Sequence, residues 1–157
     1  MTFVATAEAG DAEMAERIRA HRAERPEGWV TLEEPYALED ALAGVDPEHA
    51  VIVDCLSLWV ANAVGRDDDP ESVLEATTRA AAIAASRPPL TVAVSNEIGL
   101  GIVPATPLGR VYRDLLGSVN QVWVATSADA ALVVAGRALP LVDAHVLADR
   151  MIVPETR

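Results

Sequence analysis

Two short, continuous apolar runs constrain the fold of this 157-residue chain more than any other feature. Ala50–Asp54 reads AVIVD and Leu90–Ser95 reads LTVAVS, and neither run alternates apolar with polar residues. Such a run is typical of a strand that is buried on both faces of a parallel sheet. Because parallel neighbours are joined by long crossover connections, helices are expected between the strands. The chain is therefore predicted to be an α/β protein.

Apolar spacing, capping residues and prolines predict the remaining elements. Further strands are predicted at Thr2–Ala7, Val30–Glu33 and, as the last core strand, Ala131–Ala135, and helices from Asp11 to before Pro26 and at Pro35–Leu42, Pro70–Ser86 and Leu108–Val124. This alternation predicts a three-layer, mostly parallel sheet. Ligands of such sheets bind at the carboxyl ends of the strands. The residues expected at that edge are Ala5–Ala7, Asp54 and Ser95–Glu97.

The charge of the chain excludes several classes of partner. All 12 basic residues are arginines, there are 24 acidic residues, and the formal charge is −12. A surface of that sign repels polyanions, so nucleic acid is excluded as a partner. No apolar run reaches the roughly 18 residues of a bilayer span, so no membrane insertion and a cytoplasmic location are expected. Without lysine the chain cannot contain a Walker A loop.

A histidine among arginines is the first candidate for chemistry. His21 is near the end of the first predicted helix, with Arg17, Arg22 and Arg25 close to it in sequence. An unprotonated imidazole can attack a phosphoryl group, and guanidinium groups would neutralise the phosphate oxygens. The alternative is a surface or helix-capping histidine, and the residues alone leave both interpretations open.

Three further patterns each have a structural and a functional interpretation. Asp54 follows an apolar strand, where a carboxylate can hold Mg²⁺ directly or through water, or can cap the next helix. The glycine-containing segment 95–104 is either a ligand-binding loop or a turn. Arg110, Arg113 and Asp114 lie at one end of a helix, where ion pairing at the surface explains them equally well.

Taken together, four blocks resemble a known enzyme family. They are ATAEAGDAEMAERIRAHRAERP, DCLSLWVANAV, VSNEIGLGIVP and GRVYRDLLGSVNQ, in this order, and the match spans residues 3–141. The chain resembles the bifunctional adenosylcobinamide kinase / adenosylcobinamide-phosphate guanylyltransferase of cobalamin biosynthesis. The resemblance implies a P-loop nucleotide-transferase fold. It also implies phosphorylation of adenosylcobinamide and GMP transfer from GTP to adenosylcobinamide phosphate through a guanylyl-histidine.

The resemblance also implies roles for individual residues. His21 matches the guanylylated nucleophile, and Asp54 matches a carboxylate that serves Mg²⁺ and the nucleotide, GTP or ATP. Adenosylcobinamide and its phosphate are the implied corrinoid partners, and the implied assembly is a homo-oligomer, with a trimer as the expected form. The implied nucleotide contacts are Ala5, Thr6, Ala7, Arg22, Ala23, Glu24, Arg25, Glu33 and Asp54.

The sequence departs from the family at its start. Family members precede the ATA strand with a strand, a G-x-x-x-x-G-K-[ST] loop and a helix, whereas here Met1 and Thr2 precede it directly. We therefore expect a nucleotide-transferase-like domain over 1–141 that lacks these elements, and a tail of unknown role over 142–157. Three explanations remain open: a misplaced start, a degenerate enzyme, or a catalytically inactive homologue that binds a corrinoid or interacts with another subunit.

Overall fold

Helices and strands alternate through the first of two compact units, Met1–Thr126, and the second unit begins at Ser127. The computed structural model describes residues 1–144 and 146. The elements are β1 (Thr2–Ala5), α1 (Ala12–Ala23), β2 (Val30–Glu33), α2 (Leu38–Gly44), β3 (Val51–Asp54), α3 (Leu56–Gly65), α4 (Pro70–Ser86), β4 (Thr91–Val94), α5 (Pro107–Thr126), β5 (Ala131–Val134) and β6 (Arg137–Pro140).

The first unit is organised around a four-stranded parallel sheet with the order β2-β1-β3-β4. In the register of this sheet Ala5 pairs with Glu33 on one side and with Asp54 on the other. Asp54 in turn pairs with Val94. The carboxyl ends of all four strands therefore lie at one edge, and the predicted α/β fold with a parallel sheet is confirmed.

One face of the sheet carries the main core. Val4 and Val53 are register partners with no exposed surface, and helices α2, α3, α4 and α5 all contribute buried residues to the same cluster. Burying these side chains supplies most of the hydrophobic stabilisation of the unit. Its largest fully buried apolar side chains are Leu38, Leu42, Leu56, Leu116, Val4, Val51, Val53, Val60 and Val119.

Helix α1 lies over the opposite face, which we call the α1 face. The connection from β1 to β2 runs in the direction opposite to those from β2 to β3 and from β3 to β4. Right-handed crossovers therefore place α1 on the other side of the sheet from α2, α3 and α4. Phe3 belongs to this face because successive residues of a strand alternate sides. Helices thus flank both faces, in agreement with the predicted three layers.

The α1 face is only partly covered. Near β1 it contains Phe3, which is 8% exposed, but Val92 and Val94 of β4 are 42% and 41% exposed. Among the described residues β4 pairs only with β3, so its outer edge is open there.

Two predictions about elements were wrong or incomplete. Ala131–Val134 is not a core strand, because it pairs antiparallel with Arg137–Pro140 in a separate two-stranded sheet. The reversal occurs at Ala135 and Gly136, which both have positive φ. Helix α3 was not predicted, although its buried positions Leu56, Trp59, Val60 and Ala63 have helical spacing. The predicted tail, 142–157, lies outside the described residues except for 142–144 and 146.

Candidate functional site

The carboxyl ends of three strands bring several of the predicted residues to one edge. Ala5 is the last residue of β1, and its register partners Glu33 and Asp54 are the last residues of β2 and β3. Thr6 and Ala7 continue the chain beyond β1 at this edge. Parallel pairing alone therefore places five of the implied nucleotide contacts together, as expected for ligand sites in such sheets.

His21 lies in the last turn of α1 and is exposed. The helix is capped by Asp11, the residue before its first turn, whose carboxylate accepts a 2.7 Å hydrogen bond from the backbone N–H of Met14. It ends at Ala23, and the N–H of Glu24 closes the last turn on the carbonyl of Ala20. No residue of α1 is buried, so few apolar contacts hold the helix on the sheet.

Two arginines on either side of Ala23 connect this turn to the sheet. Arg22 Nη1 donates a 3.0 Å hydrogen bond to Glu33 Oε1. Arg25 Nη1 donates a 2.8 Å hydrogen bond to Thr31 Oγ1, and the Arg25 guanidinium stacks 3.7 Å from the centroid of the Phe3 ring. Arg22 and Arg25 with their partners Glu33 and Thr31 thus form a contact set at the end of α1, and His21 directly precedes Arg22 in the chain.

Arg25 also links this cluster to Asp54. Burial lowers the pKa of Arg25, while the nearby carboxylate of Asp54 acts in the opposite direction. Arginine stays protonated under such shifts, so Arg25 is a fixed positive charge beside Asp54. The guanidinium groups of Arg22 and Arg25 and the carboxylates of Glu33 and Asp54 therefore lie close to one another at this edge.

Thr6 holds the ends of β1 and β3 together. Its side chain is completely buried, and its hydroxyl accepts from Cys55 N at 2.8 Å and donates to Cys55 O at 2.7 Å. Its backbone N–H donates to Asp54 O, and its carbonyl accepts from Asn62 Nδ2. All the hydrogen-bonding groups of Thr6 are therefore used inside the protein, in a position that fixes the backbone beside Asp54.

The segment after β4 also contacts this edge. Ser57 Oγ donates a 2.7 Å hydrogen bond to Asn96 Oδ1, joining the first turn of α3 to the end of β4. Arg110 donates to the carbonyls of Pro104 and Ala105, so it closes the loop before α5. Arg113 pairs with Asp114 on the same helix, as the ion-pair interpretation predicted.

Sequence reasoning missed two connections at the site. Asn62 Nδ2 donates to the carbonyls of Thr6 and Pro35, and Tyr36 donates its hydroxyl proton to Glu8. The helical spacing of α3 would have placed Asn62 on the side of that helix near the strands.

A cavity of about 290 Å³ lies beside Tyr36 and Trp59, and none of the implied nucleotide contacts lines it.

Comparison with known proteins identifies the family. Residues 1–141 match the sequence profile described as cobinamide kinase / cobinamide phosphate guanyltransferase. The chain belongs to this family. It is 39% identical over 148 residues to the bifunctional adenosylcobalamin biosynthesis protein CobP of Pseudomonas aeruginosa, covering 90% of this chain and 82% of that protein. It is 37% identical to the corresponding CobU proteins of Escherichia coli and Salmonella typhimurium, covering 85% of this chain and 81% of each.

Membership in the cobinamide kinase / guanyltransferase family confirms the resemblance that the four sequence blocks indicated. The matched region contains the whole parallel sheet, α1 with His21, and the segment after β4. The family is an enzyme family that acts on cobinamide and cobinamide phosphate. Within the described residues no helix has both the length and the apolar character to cross a bilayer.

Proposed function

We propose that this chain transfers GMP from GTP to adenosylcobinamide phosphate through a covalent guanylyl-His21 intermediate, and that it also phosphorylates adenosylcobinamide, with GTP or ATP as the donor. The observation that carries the proposal is the contact set on the α1 face. His21 is exposed at the end of α1, and Arg22 and Arg25 connect the same turn to Glu33 and Thr31 at the sheet. An accessible imidazole in the same helical turn as an arginine suits attack on a phosphorus atom.

In the first step an imidazole nitrogen of His21 would attack the α-phosphorus of GTP. A P–N bond forms, the bond from the α-phosphorus to the bridging oxygen breaks, and pyrophosphate leaves. In the second step an oxygen of adenosylcobinamide phosphate attacks the same phosphorus. The P–N bond then breaks, the imidazole is regenerated, and the product contains a new P–O–P linkage. The covalent intermediate avoids a direct encounter between two anionic substrates.

The arginines would stabilise charge that develops during both steps. Arg22 is 63% exposed and paired with a carboxylate, so a phosphate oxygen can replace Glu33 as its partner at small cost. Arg25 is held by Thr31 and Phe3 and would contribute a fixed positive charge. The implied contacts at Ala23 and Glu24 follow directly after Arg22 in the backbone.

Asp54 is the proposed carboxylate for Mg²⁺, either directly or through water. The described residues contain no group of three or more His, Cys, Asp or Glu side chains that could hold a metal. This fits Mg²⁺ at a nucleotide site, because that ion usually takes one or two protein carboxylates and completes its shell with phosphate oxygens and water. When bound, the ion would neutralise charge on the phosphate oxygens.

We further propose a cytoplasmic homo-oligomer, with a trimer as the expected form. The partly uncovered α1 face, with Val92 and Val94 exposed, supports contacts between subunits. The single cysteine, Cys55, is buried and requires no oxidising compartment. Light scattering coupled to gel filtration would measure the mass of the particle, and a monomer at all concentrations would contradict the assembly.

Labelling of the protein by GTP tests the proposed catalysis. The purified chain is incubated with Mg²⁺ and GTP labelled at the α-phosphorus, and acid-labile label on the protein is measured. We expect label on the wild type and on His49→Ala, and none on His21→Ala. Equal labelling of His21→Ala would reject the assigned nucleophile, and no label on folded wild type would reject guanylyl transfer by this chain.

One observation favours a second candidate function. The chain contains no lysine to contact the β and γ phosphates of a nucleoside triphosphate. A catalytically inactive module that binds a corrinoid or another subunit would have the same fold. Calorimetry with adenosylcobinamide and with GTP separates the two candidates. Corrinoid binding without GTP binding would favour the inactive module, whereas Mg²⁺-dependent GTP binding favours the enzyme.

A further inference from the structure

A chain of side-chain hydrogen bonds crosses the carboxyl edge of the sheet on the side away from β2. It begins at Thr6, which bonds the backbone of Cys55. Cys55 Sγ lies 3.0 Å from Ser57 Oγ, and the Ser57 hydroxyl donates to Asn96 Oδ1 at 2.7 Å. These contacts join the ends of β1, β3 and β4, and Asn96 is the exposed end of the chain.

Helix α5 fixes Asn96 from the other side. Asn120 Nδ2 donates to the backbone carbonyl of Asn96 at 3.1 Å, and Asn120 Oδ1 accepts from Ser95 Oγ at 2.6 Å. Tyr112, also on α5, donates its hydroxyl proton to the carbonyl of Ser57. Both the backbone and the side-chain oxygen of Asn96 are therefore held in place, which is unusual for an exposed residue in a loop.

The remaining polar group of the Asn96 side chain is its amide Nδ2 donor, on a residue that is exposed. Its Oδ1 atom is used by Ser57, and no described residue accepts a hydrogen bond from Nδ2. Asn96 follows Val94 by two residues, and Val94 is the register partner of Asp54. The free N–H groups thus lie at the same edge of the sheet as the Asp54 carboxylate, next to the strand end that carries it.

We propose that Asn96 Nδ2 donates a hydrogen bond to a phosphate oxygen of the substrate held beside Asp54. The proposal rests on the proposed function, since it assumes that phosphorylated substrates bind at this edge. A fixed amide donor is suited to an anionic oxygen because the hydrogen bond is charge-assisted and its geometry is set before binding. Ser57 and Asn120 are then positioning residues, which act on the substrate only through Asn96.

The phosphate could belong to the nucleotide or to the corrinoid, and two ligand pairs distinguish these sources. Calorimetry on the full chain with Mg²⁺ compares GMP with guanosine, and adenosylcobinamide phosphate with adenosylcobinamide. The variants are Asn96→Asp and Asn96→Ala. The first keeps an acceptor for Ser57 and replaces the Nδ2 donor by a negative oxygen, while the second only removes the amide group. The matched control is Gln121→Glu, which adds the same charge at an exposed position of α5.

We expect Asn96→Asp to weaken the binding of one phosphorylated ligand about 10- to 100-fold more than the binding of its phosphate-free partner. Asn96→Ala should weaken the binding of the same ligand by a smaller factor. Gln121→Glu should change the dissociation constant of no ligand by more than about 3-fold, because solvent and salt screen a charge at an exposed site. The affected pair identifies the source of the phosphate.

Three results would overturn the role of Asn96. The first is that Asn96→Asp weakens the binding of both members of each ligand pair equally. The second is that Asn96→Asp weakens binding but Asn96→Ala does not. The third is that the wild type binds neither phosphorylated ligand more tightly than its phosphate-free partner. Labelling of His21 separates this failure from that of the proposed function. If GTP labels both the wild type and Asn96→Asp, and the variant binds the phosphorylated ligands as tightly as the wild type does, the proposed function stands and only the role of Asn96 is rejected.

Discussion

Arg22 donates a 3.0 Å hydrogen bond to the carboxylate of Glu33, and this contact ties the helical turn that carries His21 to the end of β2. Both side chains are more than half exposed, so the ion pair itself adds little to stability. A contact that is weak and solvent-accessible can exchange one partner for a substrate phosphate. In the proposed function, the pair would link the position of α1 to the occupancy of the site.

Replacement of Arg22 should separate activity from stability. We expect Arg22→Met to lower the rate of His21 labelling by GTP about 10- to 100-fold, because it removes a charge-assisted contact to phosphate. The free energy of unfolding in urea should change by less than about 1 kcal/mol. The control is Arg19→Met on the same helix, since among the residues that the structure describes Arg19 pairs only with the exposed Glu16. Equal labelling rates in the two variants would contradict the role of Arg22.

The sequence predicted those parts of the fold that depend on local pattern. β2 at Val30–Glu33 and α4 at Pro70–Ser86 have the predicted bounds, because a β-branched run and a proline at the first helical position are strong local signals. The apolar run Ala131–Ala135 equally suits a buried parallel strand and a hairpin strand. Its pairing with Arg137–Pro140 depends on the reversal at Gly136, so the run alone could not decide it.

The site was predictable only as a list of residues. Resemblance gave His21, Arg22, Glu33 and Asp54, and parallel register places the last two at one edge. The contacts that organise the edge, such as Ser57 with Asn96, join residues far apart in sequence and depend on packing of helices against the sheet. No local pattern contains that information. The roles of the residues in binding and catalysis remain predictions.

Thr6→Val should destabilise the first unit although the two side chains have nearly the same shape. The substitution leaves the buried N–H of Cys55 without the acceptor that Thr6 Oγ1 provides at 2.8 Å. An unsatisfied buried donor costs about 1–3 kcal/mol, measured as the free energy of unfolding in urea. Thr6→Ser keeps the hydroxyl and should recover most of this loss.

Thr77→Val is the matched control for Thr6. Thr77 is also completely buried, but its hydroxyl donates to the carbonyl of Val73 one helical turn earlier and accepts from no backbone N–H of the described residues. Valine there leaves no backbone donor unpaired, so the change should be less than about 1 kcal/mol. Equal effects at the two positions would show that the contact between Thr6 and Cys55 has no special importance for the edge.

Arg87 should be important for stability although it lies far from His21 in sequence. Its guanidinium donates to four carbonyls, those of Leu42 and Val45 at 3.3 Å, Asp46 at 2.8 Å and His49 at 2.9 Å. It therefore holds the connection between α2 and β3 against the end of α4. We expect Arg87→Ala to lower the free energy of unfolding by about 2–3 kcal/mol.

Arg79→Ala serves as the comparison for Arg87, because Arg79 is 55% exposed and its side chain makes ion pairs with the carboxylates of Glu39 and Glu75. Its loss should cost less than about 1 kcal/mol. Urea titrations of both variants should have the slope of the wild type. A smaller loss for Arg87→Ala than for Arg79→Ala would mean that water replaces the guanidinium at the four carbonyls.

The two tyrosines should both titrate above the ordinary range in the native protein. The hydrogen bond to Glu8 raises the pKa of Tyr36, and burial, with a smaller contribution from Cys55, raises the pKa of Tyr112. A raised pKa means that the fold favours the neutral phenol. This contribution to stability is complete below about pH 10, the pKa of an unfolded tyrosine, and is lost as the pH rises through the native pKa.

Tyrosinate absorbance, measured during alkaline titration of the native chain and of the chain in urea, checks this expectation. The native curve should lie at higher pH than the unfolded one, and Tyr36→Phe should leave a single native step that belongs to Tyr112. Because the phenol of Tyr112 donates to the carbonyl of Ser57, its ionisation removes a contact of the edge that holds Asn96. A native step at or below the unfolded pKa would mean that neither the contact with Glu8 nor the burial of Tyr112 persists in solution.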